Sequence, residues 1–393
     1  MLREDSLTFS EVCKVPRSPQ AQKKIVYLDL DKRSSRITNC LHNPMVIIRV
    51  PRFFGSAIVT ATFWALLLSQ LCSARTLKEQ SATTNNATVS YSDFHGSKAI
   101  VVRNRAAEVV IVPEIGRVME FNLLDGTGRT RSGPFWKNPA LDKSMQADGE
   151  GWKNYGGDKA WPSPQSDWPK IAGRGWPPPA GFDAVPFSDT LKHGQVQLVS
   201  PVDANYGVRI RRTISLDSQK SVLSIKTTYE KVRGEPIRIS VWTITQLAAP
   251  DRAFILLPPQ SQFPSGYTNL IAPGTRDAKV DGRLLSLGRD PVNRVKIGSD
   301  GDALLWVGNG PDLLLQSQTS NPDGAAAEWP EQGSHAQIYT SPGDEMKYVE
   351  FELLSRLVSL SPGQHASLDV VYTLIPRTLP DSTAEARKVL QLQ

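Results

Sequence analysis

Cysteine is nearly missing from this chain of 393 residues: only Cys13, Cys40 and Cys72 occur, and none follows position 72. From Arg75 onward there is no disulfide, no thiol nucleophile and no Cys-ligated zinc. Histidine is scarce too. His95, His193, His335 and His365 stand at no metal-ligand spacing, so surface or turn roles are expected for them, with His193 in the turn Lys192-His193-Gly194, and no metal is expected. The G-x-S-x-G elbow, the GxxxxGK[ST] loop and the HExxH pair are absent, which removes the commonest serine-hydrolase, nucleotide and zinc-protease readings. No internal repeat is found, and no cofactor is expected.

The formal net charge of +6 invites a polyanion partner until its location is counted. Residues 1–74 hold ten Lys/Arg against five Asp/Glu, leaving 35 basic and 34 acidic residues beyond. A body this close to neutrality argues against nucleic acid.

The excess belongs to a leader. Phe53 to Leu71 is uncharged, follows Arg49 and Arg52, and ends in Cys72-Ser73-Ala74, the small residues a signal peptidase requires. Residues 45–74 read as a secretory signal, with Met45 where such a signal begins. The run is also about long enough to span a bilayer, so a retained N-terminal anchor is the alternative, and it would be the only membrane attachment. Residues 1–44 are then either an over-extended start or a cytoplasmic tail. The expected location is periplasmic or secreted.

Residues 75–90 are polar and aperiodic and read as a flexible spacer before a single domain over 91–376. Short β-branched runs at 99–104, 108–113 and 117–123 open it. Strand patterns follow at 195–200, 208–216, 222–230, 237–247, 253–257, 303–307, 312–317, 348–354 and 366–374. Only the tail, 377–393, carries a helical composition, at 382–392. Many short strands without alternating helices define an all-β fold, a two-sheet antiparallel sandwich.

Between Leu124 and Phe187 aliphatic runs vanish and Gly, Pro and Trp dominate, so a long loop is expected, and a loop of this length is usually functional. It holds five of the nine tryptophans: Trp136, Trp152, Trp161, Trp168 and Trp176. In the segment 152–165, Gly156 and Gly157 permit close backbone approach, and Asn154, Asp158, Lys159 and Gln165 offer donors and acceptors beside indole faces. That mixture suits a saccharide, whose hydroxyl rim and C–H faces need both kinds of surface. Lys153, Lys159, Lys170 and Arg174 also admit a sugar acid.

Three segments, Val112-Pro113-Glu114-Ile115-Gly116-Arg117-Val118, Asn154-Tyr155-Gly156-Gly157-Asp158-Lys159-Ala160-Trp161-Pro162 and Val241-Trp242-Thr243-Ile244-Thr245-Gln246, resemble an uncharacterised bacterial family, a domain of unknown function similar to the galactose-mutarotase-like (aldose 1-epimerase-like) supersandwich. The resemblance spans about Ser90 to Pro376. It implies a galactose-mutarotase-like antiparallel β-supersandwich with a sugar-facing concave sheet. Ligand-binding residues carried over or placed there are Arg117, Asn154, Gly156, Gly157, Trp161, Gln165, Trp242 and Gln246. Active aldose mutarotases use a late-strand Glu as base, which Glu350 and Glu352 match; alternation puts both on one face with Tyr348. Those enzymes also use two histidines, and here the corresponding strand reads Trp242-Thr243-Ile244-Thr245. Lys159 or Asp158 would have to supply the acid. The catalytic candidates are therefore Glu352, Glu350, Lys159 and Asp158, in an epimerase or isomerase-like reaction. Two other classes stay open: a glycan-recognition module without turnover, and an envelope scaffold whose groove is filled by its own Trp-rich loop.

Overall fold

The computed structural model describes residues 87–141, 151–183, 185–318 and 328–392. The chain divides into two units, Met1–Glu79 and Gln80–Gln393; the first, with the signal or anchor expected there, lies outside the described residues. No described helix is long and apolar enough to cross a membrane.

Two antiparallel sheets make the domain. Strands are numbered along the chain. In the first sheet the order is β1 (Thr88–Phe94), β2 (Ser97–Arg103), β3 (Ala107–Val112), β4 (Arg117–Leu123), β5 (Asp158–Ser163), β10 (Ile237–Ala248), β19 (Tyr348–Leu354), β18 (Ala336–Thr340), β15 (Val295–Ser299) and β12 (Thr268–Asn269), with β20 (Val358–Leu360) also paired to β10. The second runs β13 (Lys279–Asp281), β14 (Leu284–Leu287), β11 (Arg252–Leu256), β16 (Ala303–Val307), β17 (Asp312–Gln318), β21 (His365–Pro376), β9 (Val222–Lys231), β8 (Val208–Leu216), β7 (Gln195–Val199) and β6 (Ser188–Lys192).

Strand alternation explains the second sheet directly. In β8 every odd-numbered position is half-buried, while Val208, Ile210, Arg212, Ile214 and Leu216 are buried against the first sheet. β10 differs, because Ile239 through Leu247 are all buried. A strand buried on both faces needs cover on both. The second sheet covers one side, and the tryptophan-rich segment covers part of the other: the Lys159 ammonium, which projects from neighbouring β5 on that side, lies 5.9 Å from the Trp152 ring centre and 4.8 Å from that of Trp161.

Two expectations are corrected. Thr88 to Ser90, assigned to the spacer, already belongs to β1. The segment 124–187 is not wholly a loop: Asp158–Ser163 is a central strand, followed by helices α1 (Trp168–Ala172) and α2 (Ala180–Asp183). Pro162 hid β5, since proline is rare in central strands. It is tolerated because β5 pairs with β4 at Val118–Asp158 only, whereas at Pro162 the strand pairs on the β10 side. The tail forms a helix, α3 (Ser382–Val389), whose N-cap Asp381 accepts from the Ala384 amide.

Candidate functional site

Register fixes which side chains share the outer face of the first sheet, the face turned away from the second sheet. Trp161, Trp242 and Leu354 form one row across β5, β10 and β19. Lys159, Ile244, Glu352, Gln337 and Gly298 form the next, and Gln246, Glu350, Tyr339 and Lys296 a third. The structure thus brings together Lys159, Trp161, Trp242, Gln246, Glu350 and Glu352 from the sequence-derived set. Lys296, Gln337 and Tyr339 join them unanticipated.

Two crossed ion pairs organise this face. Lys296 Nζ lies 2.8 Å from Glu352 Oε2, which also accepts from Trp242 Nε1 at 2.7 Å. Lys159 Nζ lies 3.5 Å from Glu350 Oε1, and that oxygen accepts from Gln246 Nε2 at 2.9 Å. Lys159 and Glu352 are each only 1% exposed. Burial holds the Lys159 ammonium below its ordinary value of 10.5, with Glu350 pulling the other way. Burial likewise raises the Glu352 carboxyl above 4.5, opposed by Lys296 and reinforced by Glu350.

Four buried polar atoms on this face have no hydrogen-bond partner among the described residues: Lys159 Nζ, Trp161 Nε1, Gln246 Oε1 and Gln337 Oε1. Leaving a buried donor or acceptor unpaired costs about 1–3 kcal/mol each. Four on one face leave hydrogen-bonding capacity that the described residues do not fill.

The remaining candidates have other placements. Asp158 faces the opposite way, into the space between the sheets, because it is one residue from Lys159 on the same strand. There it is ion-paired with Arg212 and accepts from Thr245 Oγ1 at 2.8 Å and Tyr372 Oη at 2.6 Å. Asp158 is therefore corrected from a groove acid to an inter-sheet tie. Arg117 is fully buried, ion-paired with Asp183 and donating to the Gly156 carbonyl at 2.7 Å; it locks the loop to α2. Asn154 is buried, its Nδ2 4.0 Å from Met346 Sδ, and its Oδ1 has no hydrogen-bond partner among the described residues.

Gly156 and Gly157 serve the chain's own packing. Both have positive φ, and a Cβ at Gly156 would stand 2.2 Å from the Trp136 carbonyl oxygen, one at Gly157 2.5 Å from that of Val118. The close approach expected toward a ligand is made toward backbone. Gln165 lies in the 3-10 turn after β5, its amide N–H held by Glu331 Oε1 at 3.2 Å, beyond the sheet face. His335, expected in a surface or turn role, is buried and stacks on Trp329 with ring centres 3.9 Å apart. His95 and His193 do occupy turns with positive φ.

Sequence reasoning missed Lys296 because Val295–Ser299 was not read as a strand. Alternation was the available signal: Lys296 lies between buried Val295 and Ile297, and Gln337 and Tyr339 flank buried Ile338.

One pH dependence follows. With its folded pKa raised, Glu352 binds its proton more tightly in the folded chain. Its contribution is fully present below the unfolded value near 4.5 and is lost as pH rises through the folded value. Unfolding free energy measured in urea from about pH 4 to 8 should fall across that window in the native chain, and Glu352→Gln should flatten the fall. Parallel curves would show that Glu352 does not titrate in this way.

No protein-family model and no curated protein matches this chain. Solved structures similar to it include a galactose mutarotase-like protein from Lactobacillus casei ATCC 334, 11% identical over 70% of this chain and 100% of that chain, TM-score 0.47. A galactose mutarotase related enzyme from Lactobacillus acidophilus is 11% identical over 70% of this chain and 97% of that one, TM-score 0.46. A TPR-domain containing protein from Parabacteroides distasonis ATCC 8503 is 12% identical over 72% of this chain, TM-score 0.49, and this chain spans about half of its length, 48%. The chain is an antiparallel two-sheet β protein with galactose-mutarotase-like structural neighbours at low identity. Likeness at this level concerns the arrangement of strands and assigns no ligand and no reaction.

Proposed function

We propose that this protein is an exported carbohydrate-active protein that binds a saccharide on the outer face of its first sheet, over Lys159, Gln246, Glu350 and Glu352. The observation that carries the reading is the convergence of four buried polar atoms without a hydrogen-bond partner among the described residues beside Trp161 and Trp242. Sugar hydroxyls complete those hydrogen bonds, and the indoles take the C–H faces.

Proton transfer at the anomeric centre is the chemistry this face can perform. Glu350, 13% exposed against 1% for Glu352, is the carboxylate open to a ligand and takes the proton of the anomeric hydroxyl. The bond from the anomeric carbon to the ring oxygen breaks, and Lys159, whose ammonium burial makes a readier acid, delivers a proton to that oxygen. Closure of the aldehyde from its other face gives the other anomer, with both protons returned.

Recognition without turnover is the second reading. It is favoured by the pairing of Glu352 with both Lys296 and Trp242, which leaves one carboxylate rather than two for chemistry. A thermal-shift screen of the full chain against neutral sugars, uronates and sugar phosphates names the ligand class. NMR anomer exchange on the best ligand then separates the readings: exchange above background that Glu350→Gln abolishes supports turnover, whereas tight binding with background exchange leaves recognition alone. A well-folded sample that no sugar shifts contradicts both and favours a scaffold.

A further inference from the structure

Beside the Lys159 face lies a concavity that the reading above does not use. It is a cleft of about 580 Å³ lined by Trp152, Tyr155, Arg174, Pro177, Ala180 and Asp183, among others, a size within the range of about 300–1,000 Å³ typical of small-molecule sites. Trp152 belongs to both places. Its ring lines the cleft and also stands 5.9 Å from Lys159 Nζ. Its indole N–H donates to Asp183 Oδ2, while Asp183 Oδ1 is ion-paired with buried Arg117. The indole between the cleft and Lys159 is thus held from beneath by a buried ion pair, and Trp176 packs edge-on against it, ring centres 5.0 Å apart.

The lining fits a sugar ring. Tyr155 lies over the Arg117 guanidinium, 5.3 Å from ring centre to Cζ, and with Trp152 and Pro177 it offers flat apolar surface. Of the charged residues lining the cleft, Asp183 is already ion-paired with buried Arg117, and Lys153 and Arg174 stand with Glu114. Two adjoining sites that share one indole wall hold two adjoining rings more readily than one.

Building on the saccharide reading of the Lys159 face, we infer that the ligand is an oligosaccharide of at least two residues, one over Lys159 and Glu350 and the next in the Trp152–Tyr155–Pro177 cleft. The cleft sets chain length and the Lys159 face sets the chemistry. Linking two modest contacts into one ligand makes the second contact intramolecular, so affinity rises sharply from one residue to two.

The test is calorimetric titration of the full chain with glucose, galactose and mannose, each beside its α- and β-1,4-linked di- and trisaccharides. Ala180→Trp is the informative variant, because Ala180 is exposed at the cleft wall and a larger side chain fills the cleft without touching the core. In the native chain at least one disaccharide should bind about tenfold more tightly than its monosaccharide. Ala180→Trp should erase that advantage and leave monosaccharide affinity unchanged. Equal affinity for mono- and disaccharide, with Lys159→Met still abolishing both, overturns the inference while the saccharide reading stands. A disaccharide advantage that survives Ala180→Trp overturns the placement in the cleft. Absence of binding by every sugar overturns both.

Discussion

Arg212→Ala should destabilise the fold by about 3–5 kcal/mol, the usual cost of leaving one partner of a buried ion pair alone. Arg212 is 1% exposed and rises from β8 in the second sheet to meet Asp158 on β5 in the first. It also donates to the carbonyls of Gly116 and Asp158, at 3.1 and 3.0 Å. Tyr372 of β21 and Thr245 of β10 donate to the same carboxylate. One group of four side chains therefore clamps the sheets together directly behind Lys159. Removing the guanidinium strands a carboxylate that is fully buried and unpairs two carbonyls. Arg211→Ala supplies the control: its neighbour points outward to half-buried Glu230 at 2.8 Å, and such a pair contributes about 0–1 kcal/mol. Urea unfolding of both variants checks the contrast. Equal losses would mean that the inter-sheet network does not bear on stability.

Lys159→Met should act far more strongly on binding than on stability. The ammonium is desolvated, has no hydrogen-bond partner among the described residues, and is ion-paired with Glu350 at 3.5 Å beside the Trp152 and Trp161 rings. Methionine keeps the length and apolar stem without the charge, so relief of the desolvated ammonium is offset by leaving Glu350 without its ion-pair partner, and a net change of about 1 kcal/mol or less in unfolding free energy is expected. Saccharide affinity should fall at least about 100-fold, the scale of losing one partner of a buried charged contact. A residue that the fold can lose at little cost and the ligand cannot is the mark of a functional group rather than a structural one. A variant that loses stability and keeps affinity would identify Lys159 as part of the scaffold.

Most of the second sheet was legible from alternation and short apolar runs; Val208–Leu216 and Ala303–Val307 coincide with their sequence patterns. The same alternation placed Arg212 in an inward slot between Ile210 and Ile214, a sign of its buried role that the charge of the residue masked. The site was half legible. Glu350, Glu352, Trp242 and Gln246 lie on long periodic strands whose faces can be counted. Asp158 and Lys159 could not be assigned to faces, because Pro162 and the glycines before them concealed the strand. The partners of Arg117 and Glu352 could not be read at all: Asp183 and Lys296 stand 66 and 56 positions away in sequence, and only the folded sheet brings them together.

The most direct test of the central claim is a crystal structure of the protein soaked with the saccharide that gives the largest thermal shift. A sugar ring on the outer face of the first sheet, with hydroxyls within hydrogen-bond distance of Lys159 Nζ and Gln246 Oε1, is the expected result. A sugar bound elsewhere, with Trp152 and Trp161 still closed over Lys159, would contradict it.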